Sequence, residues 1–183
     1  MNLSIKQILT ALRFAAPYAL LVLMFALDNI YLPWAVHSDI RPSFTIMAIY
    51  YWMIYRPALL PPLLIFILSL AMDVTNGTAL GLHCLVLLPA GLFVRAQRRF
   101  LYEQPFFVVW LGFLAMATAV NIAIWVLVRI SSYGFNLLFD HAVVMAMLYD
   151  IAAAIFIFPV VAFILYFVHK MLPQKLSRAG DRR

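Results

Sequence analysis

"RPSFTIMAIYYWMIYRP", residues 41–57, is the stretch on which the fold turns. Between its two Arg-Pro pairs runs an apolar segment, Phe44 to Tyr55. As a helix it would reach only about 18 Å, short of the ~30 Å core of a bilayer. If it crosses, every later loop falls on one side of the membrane. If it does not, each falls on the other.

The rest of the chain makes a membrane the right frame. Of 183 residues, 67% are hydrophobic and 11% charged, with a mean hydropathy of +1.00. A soluble domain carries roughly a quarter charged residues. Too little polar surface exists to cover a globule, and almost no chain is left for a separate soluble domain. The expected architecture is therefore an all-α, polytopic membrane helix bundle forming one integral domain over 1–183. The apolar runs lack the alternation of a membrane β-barrel. The spans fall near 14–34, 43–55, 58–74, 78–94, 105–128 and 142–168. Lys6 and Arg13 precede the first run as in a signal sequence. No small-residue cleavage site follows, so it reads as an uncleaved span.

Charge settles the parity. With six spans and the N-terminus inside, 11 basic residues face the cytoplasm and only Arg41 and Arg129 face outward. That satisfies the positive-inside rule. Dropping the 43–55 span alone would move Arg95, Arg98 and Arg99 to the opposite face from the N-terminus. A re-entrant hairpin of spans two and three keeps the same parity, but it places Arg56 at membrane depth, which is costly. The net charge of +6 thus reports topology. The basic residues form no stripe and no nucleic-acid motif, so no nucleic-acid partner is expected. Cys84 is the only cysteine, so no intrachain disulfide is possible.

"SLAMDVTNGTALGLH", residues 69–83, joins spans three and four. Asn76-Gly77 is turn chemistry, because both residue types tolerate positive φ. Asp73 and Thr78 are suited to capping the next helix. Gly77 and Gly81 form a Gly-x-x-x-Gly, which serves either close helix approach or the turn itself. His83 is placed to approach Asp73 across the hairpin, as a packing histidine or as a proton-relay pair. Ala115, Ala119 and Ala123 repeat a small-residue spacing on span five, a helix-packing face. Asn121 on the same span is placed for an interhelical hydrogen bond. Pro89 and Pro159 lie inside spans four and six. Asp150 is the other acid near the membrane, at the outer headgroup level. The cytoplasmic basic loop of Arg95, Arg98 and Arg99 suits anionic lipid heads or cytoplasmic proteins.

Asp73 and Asp150 lie near one face, so an intramembrane aspartyl protease is a minor alternative. The Gly-x-Gly-Asp context is missing, as are HExxH, GxSxG and P-loop motifs. The histidines show no zinc spacing. No catalytic, cofactor-binding or metal residues are assigned, and no cofactor is expected.

Several of these residues together resemble the rod shape-determining protein MreD family. They are Arg41-Pro42 entering a short span, Tyr51-Trp52 near its end and Pro57 just beyond. Asp73, Gly77 and Leu80-Gly81, the basic Arg95–Arg99 run and Gln104-Pro105 complete the set. Arg56 and Pro61-Pro62 depart from the pattern. The resemblance implies a non-enzymatic scaffold of the bacterial cell-elongation machinery in the inner membrane, with both termini cytoplasmic. It implies an MreC-like single-span partner, a peptidoglycan polymerase and transpeptidase, and indirect linkage to MreB filaments. It also implies a fold like the substrate-binding component of energy-coupling vitamin transporters, and hence an alternative role in binding a small molecule. Arg41, Asp73 and Asp150 are the expected outer contacts.

Overall fold

The computed structural model describes residues 5–29, 43–133 and 141–171. Among them are six α-helices: α1 (Ile5–Asp28), α2 (Phe44–Tyr55), α3 (Pro62–Asn76), α4 (Leu82–Glu103), α5 (Phe106–Tyr133) and α6 (His141–Met171). A single 3-10 turn, Pro57–Leu59, links α2 to α3, and no strand occurs among the described residues. Two segments, Phe106–Ile130 and Leu148–Lys170, are long and apolar enough to cross a membrane. Ala15–Asp28, Phe44–Tyr55 and Pro62–Asn76 are shorter apolar helices.

The short helix α2 is the axis of the bundle. Every residue from Thr45 to Ile54 is buried, none more than 4% exposed. It is apolar on all sides because it is covered on all sides. The helices α1, α4 and α6 pack around it, and α5 touches it between α4 and α6. The hairpin partner α3 lies against α4 on the outside of this ring.

Two devices hold the axis in place. At its start, the Asp28 carboxylate at the end of α1 accepts hydrogen bonds from the backbone N–H groups of Phe44 at 2.6 Å and Thr45 at 2.9 Å. These are the first N–H groups of α2, which have no partner inside the helix. Midway along, Tyr50 donates its hydroxyl to the Val109 carbonyl of α5 at 2.9 Å. Its ring stands edge-on to Phe113 and Phe158, which stack on each other at 4.2 Å. Burial of such rings is the largest apolar contribution available to the core. Trp110 adds a further tie, donating to the Ile155 carbonyl of α6 at 3.2 Å.

The sequence places Arg95, Arg98 and Arg99 in a loop. They lie instead in the last turns of α4, which continues to Glu103. The run from Arg95 to Glu103 contains no glycine or proline and many good helix formers. The helix stops at Gln104, where the following Pro105 disfavours helical backbone. Gly77 and Gly81 belong to the turn and seat no helix. Their φ values are 65° and 93°, and nothing lies within 4 Å of where a Cβ would project. Pro62 opens α3 at a position where a missing N–H costs nothing. Asn121 is half-buried and makes no interhelical hydrogen bond among the described residues.

Gly112 of α5 lets the Tyr50 hydroxyl in. A Cβ there would sit 2.6 Å from that oxygen. Gly112→Ala should therefore lower stability in detergent by roughly 1–3 kcal/mol, the usual effect of overpacking. Tyr50→Phe in the same chain should recover most of the loss. A thermal-unfolding double-mutant cycle reads the coupling; additivity of the two changes would refute the close contact.

Candidate functional site

Two ends of the bundle can be told apart by their chemistry. One carries the α3–α4 turn, and the other carries Arg56, the α4 arginines and the end of α6.

The turn is closed by Asp73, whose side chain is fully buried in the last turn of α3. Its Oδ1 accepts from the Thr78 hydroxyl at 3.0 Å and the His83 backbone N–H at 3.0 Å, and lies 2.7 Å from His83 Nδ1. Its Oδ2 accepts from the Gly81 backbone N–H at 2.7 Å. With an ionised carboxylate, His83 Nδ1 must carry the proton, a tautomer assigned from the network. Four donors thus converge on one acid, including two N–H groups at the start of α4. The acid of one helix caps the next, and Thr78 supports the acid in place of capping α4 itself. His83 is 6% exposed. The left-handed Gly77 and Gly81 bend the chain back so that these donors reach Asp73.

Asp150 lies elsewhere. It is half-buried on α6, which packs on α1, α2 and α5, whereas α3 packs on α4. With both oxygens engaged inside its own hairpin, Asp73 is built as a structural cap. Arg41 and Pro42 lie outside the described residues.

Ala115, Ala119 and Ala123 form part of the floor of a groove between α4 and α5. Gly112 extends that floor toward the arginine end, and Leu85, Pro89, Phe93 and Phe100 of α4 form the facing wall. The groove has a volume of about 940 Å³ and reaches Tyr50 at its base. From Gly112 to Leu127 the α5 side rises about 22 Å. Of the described residues lining it, only Tyr50 and Gln97 are polar, and Tyr50 already donates to Val109. Ala115 and Ala119 stay exposed, so this face is not consumed by packing within the bundle. Sequence reasoning found the alanines but missed Gly112, the small residue one turn earlier.

Arg95 and Arg99 are exposed and Arg98 is half-buried. None of the three forms an ion pair among the described residues. Helical spacing turns them away from the groove-facing residues Phe93, Gln97 and Phe100. No group of three or more metal-ligating side chains occurs among the described residues.

Against this geometry, the family of the rod shape-determining protein MreD matches residues 9–168. The chain belongs to the MreD family. That is a family of membrane proteins that determine rod shape. No curated protein and no solved structure matches the chain.

Asp73→Ala would strip the cap from α4 and leave His83 and two backbone donors buried without an acceptor. The expected loss is about 3 kcal/mol, the lower end for breaking a buried pair. It would be read as a fall in the thermal midpoint of the detergent-solubilised protein. An unchanged midpoint would refute the cap.

Proposed function

We propose that this chain is a non-enzymatic scaffold of the bacterial cell-elongation machinery, in the inner membrane with both termini in the cytoplasm. Membership of the MreD family over most of the chain carries this reading. In it, the α3–α4 turn faces outward and the arginine end faces the cytoplasm, in keeping with the positive-inside rule.

The scaffold holds an MreC-like single-span protein and through it supports a peptidoglycan polymerase and transpeptidase, with MreB filaments coupled indirectly. The groove between α4 and α5 supports this role. Its small-residue floor lets another helix backbone come close, which is how helices associate where lipid is as apolar as they are. At the outer end, Asp73 is buried, so it shapes the turn while exposed neighbours such as Val74 and Leu80 meet the partner. Arg41 and Asp150 are the charged contacts proposed beside them.

The groove also favours a second reading, since its volume falls within the range of small-molecule sites. The fold like that of vitamin-binding transporter components, which the family resemblance implies, belongs to this alternative. A polar vitamin needs convergent polar groups, and among the described lining residues Gln97 is the only polar side chain not already engaged. The scaffold is therefore the better fit. Tight vitamin binding would raise the thermal midpoint in a ligand screen.

Ala119→Leu fills the floor of the groove without touching the core. It should cut co-purification of the MreC-like partner at least several-fold while leaving the thermal midpoint unchanged or raised. Full recovery of the partner would remove the groove from the interface. If the native chain captured an ATPase module and its coupling subunit, the scaffold reading itself would fall.

A further inference from the structure

At the arginine end, two buried nitrogens on facing helices have no hydrogen-bond partner. Trp52 of α2 is 1% exposed, and its Nε1 finds no acceptor among the described residues. His169 of α6 has a buried Nδ1 in the same condition. The two rings stack, with centroids 6.4 Å apart and an interplanar angle of 22°. Tyr55 stands edge-on to His169 at 6.0 Å and to Tyr102 of α4 at 5.9 Å. Arg56 follows directly in the chain and is nine-tenths buried.

These are aromatic rings with two buried nitrogens at the same end of the bundle as Arg56, which lies close enough to act electrostatically on His169. Trp52 Nε1–H can only donate, and a guanidinium carries five donors in a fixed fork that suits phosphate oxygens. Buried donors in native proteins nearly always meet an acceptor. Lys170 is exposed beside His169, and the α4 arginines lie at the same end, so the local field favours an anion.

We propose that Trp52, Arg56 and His169 form a phosphate-binding site at this end of the bundle, taking either the headgroup of an anionic phospholipid or free phosphate. Arg56 supplies the charge-assisted fork, Trp52 the neutral donor, and His169 a donor in its Nδ1–H tautomer. The site does not depend on the scaffold reading, since it needs no protein partner.

The full chain, delipidated in mild detergent, would be titrated with phosphatidylglycerol, phosphatidylcholine and inorganic phosphate. Native mass spectrometry would read bound lipid, and thermal shift would read phosphate. Trp52→Phe keeps the ring and removes the donor. Arg56→Gln removes the charge. Preferential, saturable retention of phosphatidylglycerol is expected, weakened about tenfold by either change. Trp52→Phe should leave the midpoint of the anion-free protein unchanged or slightly raised, because it removes an unsatisfied donor. Stabilisation by inorganic phosphate alone, lost in Trp52→Phe, would assign the site to the soluble anion. Three results would overturn it: no binding of either anion, equal retention of phosphatidylcholine, or binding that Arg95→Gln abolishes and Trp52→Phe does not. Should Arg56→Gln fail to fold, Trp52→Phe decides alone.

Discussion

A helix that stops short inside a bundle at lipid depth must have its ends satisfied by protein, because no water is there to do it. The axis α2 is short and enclosed by its neighbours. Its twelve residues end well inside the reach of its neighbours, so its first N–H groups depend on a group brought from outside the helix. Asp28 is that group. An acid at the positive end of a helix is also favoured electrostatically. The carboxylate, on the last residue of α1, thereby fixes where α2 begins. The helices around the axis pack on its apolar faces, with the Tyr50 hydroxyl bond to α5 and the Asp28 bonds from α1 as its polar ties.

The same solution recurs at the α3–α4 turn. There the start of α4 is capped by Asp73 from the preceding helix, with His83 donating a further hydrogen bond to the acid. Both acids are long-range caps, reaching the helix from a different element. The arrangement suits a chain with few charged residues, since each acid answers several backbone donors at once. It also separates Asp73 from chemistry. A carboxylate whose two oxygens are held by its own hairpin has no face to offer a substrate or a second acid, and the packing of α3 and α6 on different neighbours leaves Asp150 outside that hairpin.

Much of this was legible in the sequence. The helical class, the turn at Asn76-Gly77 and the approach of His83 to Asp73 each follow from local rules that do not need the rest of the fold. The burial of α2 was not legible, for a physical reason. A helix facing lipid and a helix enclosed by other helices are both apolar all round, so hydropathy cannot separate them. Only its shortness hinted at an interior place. The Asp28 cap links residues sixteen apart across residues 30–42, and no local motif encodes it. The α4 arginines were misplaced because charge was read as a loop signal, although the residues themselves are helix formers. Gly112 was overlooked because a single glycine in an apolar run has no signature until the Tyr50 hydroxyl is seen beside it.

The groove between α4 and α5 follows from that same contact. Tyr50 fills the angle where α5 meets the axis, and Gly112 takes its hydroxyl where any larger residue would push α5 away. Further along, α5 presents alanines where a bundle closed on itself would place large side chains to meet α4. Leu and Phe would fill that space and stabilise the isolated chain. Keeping it small forgoes that stabilisation. The trade makes sense if the missing packing is completed by another apolar helix, and it makes little sense for a pocket meant to hold a polar molecule, whose binding would need acceptors and donors the walls do not supply.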